Sequence, residues 1–371
     1  MKLNRQYFSD CRSNFNRPRN ILGLSKMSRT LPATYVKGFH DEAKVRRMEY
    51  RNLGKTGLQV SKVSFGGGAL CANYGFDLEE GIQTVHEALK SGINYIDTAP
   101  WYGQGRSEEV LGLALKDVPR ESYYIATKVA RYELDYDNMF DFSAKKTRES
   151  VEKSLKLLGL DYVDVIQIHD IEFAKDLDIV INETLPTLEQ LVKEGKARFI
   201  GVSAYPVSVL KEFLTRTVGR LDTVLTYARY TLTDETLLEY LDFLKSQNLG
   251  IICAAAHALG LLTNAGPQPW HPASDEQKAI ARKASEVCKE RGVELGKLAM
   301  YYTMSGLPEV STFLTGMQTR QLLRINLDAN EVGLSDKEQE VLRYLKENVL
   351  TKPFDWEGNE LEVYWAALKK K

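Results

Sequence analysis

From Met48 onward the chain repeats one pattern: a stretch with apolar residues at helical spacing, a glycine, then a short run of nearly unbroken apolar residues. Asp77 to Lys90 carries Leu78, Ile82, Val85 and Leu89 on one face and stops at Gly92, after which Ile93, Tyr95 and Ile96 read as a strand. Ser143 opens a helix with Val151, Leu155 and Leu158 on one face; Gly159 closes it and Val163 to Ile168 follows as a strand. Leu185 to Val192 leads through Gly195 to the strand Ala197 to Val202, and Leu237 to Leu244 leads through Gly250 to Ile251 to Ala255. Further apolar runs at Val63 to Phe65, Tyr123 to Ala126, Thr223 to Tyr227 and Ser311 to Leu314 bring the strands to about eight, the number that closes a parallel barrel. Apolar strands alternating with amphipathic helices require a parallel sheet covered by helices. An open doubly wound sheet would place a glycine-rich turn after the first strand and an acid about 20 residues later. Gly66-Gly67-Gly68 opens no immediate helix and Gly103-x-Gly105 lacks a third glycine, so both read as tight loops. The expected architecture is α/β: one eight-stranded parallel β/α (TIM) barrel over residues 48–350, with a flexible extension over 1–47 and a tail over 351–371.

Composition narrows the function. The 371 residues hold 50 acidic and 49 basic side chains, a formal net charge of -1, which argues against a surface built for nucleic acid or anionic membrane. Apolar residues at 43% suffice for a large core, and no run approaches the ~18 apolar residues of a membrane-crossing helix. Cys11, Cys71, Cys253 and Cys288 are scattered without a CxxC pair, which predicts a reducing compartment and no disulfide framework. The first residues are basic (Lys2, Arg5, Arg12, Arg17, Arg19, Lys26, Arg29) against the single early acid Asp10. A mitochondrial presequence is one reading. Pro18 and the lack of a sustained apolar stripe favour a cytoplasmic protein with Met27 as an alternative start. The expected assembly is a monomer or weak homo-oligomer.

In a β/α barrel the chemistry sits where strands end. The second strand ends at Asp97 with Tyr102 in the loop beyond; the third ends at Lys128, the fourth at His169 and the fifth at Ser203. A carboxylate, a phenol, an ammonium and an imidazole on one rim suit proton transfer coupled to hydride transfer. An ammonium beside a phenol stabilises phenolate and lowers its pKa, which Lys128 can do for Tyr102. Asp97 keeps the lysine charged, and neutral His169 donates a hydrogen bond to the reacting oxygen. None of these accepts a hydride, so a nicotinamide is required. The five histidines show no HExxH spacing, and no GxSxG elbow or P-loop is present; no metal site is expected.

These residues resemble the aldo-keto reductase superfamily. Asp97-Thr98-Ala99-Pro100-Trp101-Tyr102-Gly103 with Ser107-Glu108, then Ile125-Ala126-Thr127-Lys128, Val165-Ile166-Gln167-Ile168-His169-Asp170 and Gly201-Val202-Ser203 follow its motif order. The resemblance implies the barrel, Tyr102 as general acid/base, and Lys128, Asp97 and His169 as its partners. Val224-Leu225-Thr226-Tyr227, Gly260-Leu261-Leu262-Thr263 and Trp270-His271-Pro272 are most similar to the L-galactose dehydrogenase branch, which implies oxidation of a sugar's anomeric carbon to a lactone. Two departures stand out: Ala255-Ala256-His257 replaces Ser-Pro-Leu, and Ala204 replaces an asparagine that contacts the nicotinamide amide. The resemblance places Ser203, Tyr227, Gly316, Gln318, Arg320 and Asn326 at the cofactor, and the large apolar rings of Trp101 and Trp270 are expected to line the substrate pocket. NADP-preferring relatives hold the 2′-phosphate with a lysine and an arginine where this chain has Gly316 and Leu322, so NAD is expected to serve at least as well as NADP. Two alternatives remain: a cofactor-loaded regulatory subunit similar to potassium-channel β subunits, and a general carbonyl reductase acting on aldehydes.

Overall fold

The computed structural model describes residues 30–71 and 75–369. Eight parallel strands close a barrel in the order β10-β3-β4-β5-β6-β7-β8-β9: β3 (Val63–Gly66), β4 (Tyr95–Asp97), β5 (Tyr124–Val129), β6 (Val163–Ile168), β7 (Ala197–Ser203), β8 (Thr223–Tyr227), β9 (Gly250–Ala254) and β10 (Thr312–Gly316). The hairpin β1 (Tyr50–Asn52) and β2 (Gln59–Ser61) precedes them. The first and last barrel strands pair in parallel, Phe313 opposite Val63 and Gly316 opposite Gly66.

The periodic segments form the expected helices for local reasons. Leu78–Lys90 starts at Asp77, whose side chain accepts the Glu80 N–H. Ala144–Leu158 starts at Ser143, which accepts the Lys146 N–H, and ends at Gly159 in the left-handed conformation. Two apolar layers result. Val85, Leu89, Val151, Leu155, Leu188 and Leu191 pack helices against the outside of the sheet. Inside the barrel, Tyr95, Ala126, Val165, Leu225, Ile252 and Leu314 cluster with Leu53, Leu58 and Val60 of the hairpin, which seals the N-terminal end. Gly54, with φ +52, lets the hairpin lie on β9; a Cβ there would run into the Leu249–Gly250 peptide.

The termini differ from expectation. Residues 1–29, with the basic segment, lie outside the described residues. Residues 30–47, expected to be flexible, are packed: Val45 is buried, Thr34 accepts a hydrogen bond from Asn94 Nδ2 (2.9 Å), Asp41 N donates to Lys90 O (2.9 Å) and Arg47 pairs with Glu331. The helix there, Glu42–Val45, is too short to produce a periodic signal. At the other end the tail crosses the mouth of the barrel. Trp356 stacks on Tyr205 (4.9 Å between centroids), and the helix Asn359–Lys369 buries Tyr364 against Phe140 and Phe173. Among the described residues no helix is long and apolar enough to cross a membrane.

Candidate active site

The C-terminal strand ends deliver the polar residues to one place. Asp97 closes β4 and Lys128 lies near the end of β5; both are fully buried. Lys128 Nζ donates to Asp97 Oδ1, to Thr98 O (2.9 Å) and to Tyr102 Oη (3.2 Å). Gln167 on β6 donates to the other Asp97 oxygen (2.6 Å); it lies in the motif Val165-Ile166-Gln167-Ile168-His169, two residues before the histidine. Tyr102 is held by the turn after β4: Tyr102 N donates to Ala99 O, while Thr98, Ser107 and the Gly67 carbonyl are linked at 2.8 Å. The triple glycine makes room for this turn, because a Cβ at Gly67 would meet Ser107 Oγ at 2.7 Å. The His169 ring stands perpendicular to Tyr102, 5.9 Å between centroids.

Burial sets the protonation states. It pushes His169 down to about 3, with Lys128 and Arg131 adding to the effect and Asp170 opposing it, so the imidazole is neutral. Its Nδ1 is buried without a partner, which favours the proton on Nε2. For Lys128 burial acts against the charge, but Asp97 and Tyr102 outweigh it and the ammonium is held firmly protonated. Tyr102 departs from expectation. Lys128 does lower its pKa, but burial raises it more and the net direction is up, so the group rests as the neutral phenol.

The backbone at this rim is unusual. Ala130, Asp170, Ala228 and Ala255, which follow β5, β6, β8 and β9, all adopt positive φ. Each conformation costs a non-glycine residue roughly 1–2 kcal/mol, least for aspartate. Ser203 ends β7 with its hydroxyl accepting from Asp170 N (3.2 Å), and Tyr227 ends β8 with its ring on Tyr205 (5.0 Å). His257 ties the β9 loop to β10, its Nδ1 3.1 Å from Thr315 Oγ1 and its Nε2 3.1 Å from Gly296 O.

Two of the expected contact residues have protein partners in the structure. Trp270 is 46% exposed with its ring stacked on His271 (6.1 Å), and buried Trp356 of the tail stacks on Tyr205, just beyond the end of β7. Arg320 is engaged by Glu80, whose carboxylate accepts from the Arg320 backbone N (2.9 Å), Nε (3.2 Å) and an NH2 nitrogen (2.8 Å). Trp101 does sit at the rim, under the Arg131 guanidinium (4.2 Å).

A parallel barrel with a phenol, an ammonium, a carboxylate and an imidazole at its mouth defines the class, a β/α-barrel oxidoreductase. The chain belongs to the Aldo/keto reductase family, whose model matches residues 62–347. It is 42% identical over 301 residues to L-galactose dehydrogenase of Arabidopsis thaliana, covering 80% of this chain and 92% of that one. It is 31% identical to D-arabinose 1-dehydrogenase of Saccharomyces cerevisiae, covering 80% and 93%. Among solved structures it resembles aldo-keto reductase AKR11C1 from Bacillus halodurans in its holo form, with a TM-score of 0.65, 28% identity and coverage of 84% of this chain and 99% of that one. Enzymes of this family use nicotinamide cofactors, and this chain is an oxidoreductase of that kind.

Proposed function

We propose that the protein oxidises the anomeric carbon of a small aldose with NAD, with Tyr102 as the proton-transferring residue. The carrying observation is the contact between Lys128 Nζ and Tyr102 Oη at 3.2 Å within a buried set anchored by Asp97. In oxidation the substrate hydroxyl gives its proton to the Tyr102 phenolate while its carbon loses a hydride; in reduction the neutral phenol returns the proton to the carbonyl oxygen. Lys128 stabilises the phenolate when it forms, and Asp97, fixed by Gln167, keeps Lys128 charged and aimed. His169 Nε2 donates a hydrogen bond to the reacting oxygen and orients it. When bound, the nicotinamide ring supplies the hydride acceptor or donor.

The residues present suit that cofactor. Asn326 is 2% exposed; its Nδ2 donates to Leu322 O (3.0 Å) and its Oδ1 is buried without a partner, an acceptor suited to an adenine amine. Ser203, Tyr227, Gly316 and Gln318 complete the set that would hold it. The preference for NAD rests on Glu80. Binding a 2′-phosphate through Arg320 means breaking a multiply bonded pair and setting a dianion beside the Glu80 carboxylate, whereas a 2′-hydroxyl requires neither. Arg324 is 3.5 Å from Glu87 and is likewise engaged.

The anomeric substrate is supported by similarity to relatives named L-galactose dehydrogenase and D-arabinose 1-dehydrogenase. Following reduced-cofactor absorbance with NAD or NADP and a panel of aldoses tests it. Oxidation of at least one aldose, faster with NAD, is expected; turnover confined to hydroxyl-free aldehydes would overturn the sugar assignment.

A further inference from the structure

Beside the reacting set lies a second buried polar group that the proton transfer does not use. Asp170, 2% exposed, follows His169, and its Oδ2 stands 3.6 Å from His169 Nε2. That oxygen accepts from Arg131 NH1 at 2.6 Å, while Oδ1 is buried with no partner. Arg131, also buried, leans on Trp101 and reaches Glu360 of the tail helix at 3.6 Å; its Nε has no partner. Ala130 and Asp170, which aim this pair, both hold left-handed backbone. A buried polar atom without a partner destabilises the fold by about 1–3 kcal/mol, so two in one strained cluster call for a ligand that completes them.

We propose that Asp170, Arg131 and Glu360 form a collar that reads the hydroxyls of a polyhydroxylated substrate, with Asp170 taking the hydroxyl on the carbon next to the reacting one. Three features fit that chemistry. Each sugar hydroxyl both donates and accepts, and the collar alternates carboxylate acceptors with a guanidinium donor. The Asp170 carboxylate stands beside the imidazole that orients the reacting oxygen, its Arg131-bonded Oδ2 3.6 Å from His169 Nε2, which puts a hydroxyl on the adjacent carbon within its reach. Trp101 supplies an apolar wall beside these polar groups, as small-molecule sites do. The tail thereby contributes to substrate choice, because Glu360 enters from its helix. The inference rests on the aldose reading above and adds which residues discriminate among aldoses.

The test compares kcat/KM for an aldose and for its 2-deoxy analogue in the wild type, Asp170→Asn and Glu360→Gln, with Tm measured for each. The wild type should favour the aldose by about tenfold or more, the loss expected when a buried charged acceptor goes unpaired. In Asp170→Asn that preference should shrink to within about threefold, a change that a merely structural role of Asp170 would not produce. Glu360→Gln, which leaves the strand ends untouched, should lower the ratio of kcat/KM for the aldose to that for propanal by about threefold or more. An unchanged deoxy ratio in Asp170→Asn, together with an unchanged aldose-to-propanal ratio in Glu360→Gln, would overturn the collar while leaving aldose oxidation standing. A wild type that turns over propanal but no aldose would remove both readings.

Discussion

An aspartate stands near each end of strand β6, and the two are treated in opposite ways. Asp164, at the N-terminal end, has both carboxylate oxygens occupied: Oδ2 accepts from Arg120 (2.7 Å) and from the Ile125 backbone (2.9 Å), and Oδ1 from Arg198 (2.8 Å). Asp170, beyond the C-terminal end, is equally buried and keeps one oxygen unpartnered. The backbone divides the same way. Of the eight non-glycine residues with positive φ among the described residues, only Asn248 lies at the N-terminal end; Gln104, Ala130, Asp170, Ala228, Ala255, Ala258 and Leu259 all lie in loops at the mouth. At the N-terminal end the aspartate is fully used and the backbone relaxed; at the mouth the aspartate keeps a free acceptor and the backbone is strained. Strain and unmet hydrogen-bonding capacity persist where a ligand uses them.

The comparison breaks if mutations at the mouth cost stability and mutations at the closed end cost activity. The largest effect is expected from Tyr102→Phe, which removes the proton-transferring hydroxyl: turnover should fall between about 100- and 10,000-fold with Tm and cofactor dissociation constant little changed. Near-normal turnover would remove Tyr102 from the chemistry. At the opposite end Asp164→Ala should cost about 3 kcal/mol in urea unfolding, because Arg120 and Ile125 N lose a buried partner, with kcat of the folded enzyme preserved. A loss of kcat without a loss of stability would contradict the division. Glu80→Gln, by releasing Arg320, should improve NADPH binding relative to NADH by about tenfold, read by titrating cofactor fluorescence. An unaltered ratio would show that Arg320 is not what Glu80 withholds from the phosphate. The smallest effect is that of pH on reduction. With His169 held near 3 and Tyr102 kept protonated by burial, reductive turnover should vary by less than about twofold between about pH 5 and 9. Oxidation, which requires the phenolate, should rise with pH across that window. A reductive profile that bends near the ordinary histidine value of about 6.5 would mean His169 titrates in the working enzyme.

The barrel was legible because each strand is a compact apolar run announced by a helix and a stop: Gly92, Gly159, Gly195 and Gly250 mark four of these transitions in the sequence. Reading the polar residue after each run led to Asp97, Lys128 and His169, which the structure brings together with Tyr102. What sequence could not supply is set by tertiary docking. Glu80 and Arg320 lie on different helices far apart in the chain, so nothing local links them. The tail helix buries only Tyr364, too little for a periodic signal, and the place of Glu360 beside Arg131 depends on where that helix lands. The sign of the Tyr102 shift escaped for a related reason. A nearby ammonium can be inferred from spacing, but the depth of burial that outweighs it requires the packed rim.

Barrel closure has a consequence for how the chain is made. Strand β3 emerges from the ribosome first among the barrel strands, yet one of its two neighbours is β10, the last. Until nearly the whole barrel sequence has been synthesised, the Val63–Gly66 backbone presents a row of unpaired donors and acceptors, open to any passing strand. Its brevity limits that exposure, since four residues offer a poor template for mispairing. The final seam joins segments at opposite ends of the domain, so loop-closure entropy makes it a slow event and leaves the nascent chain dependent on protection until the last strand arrives.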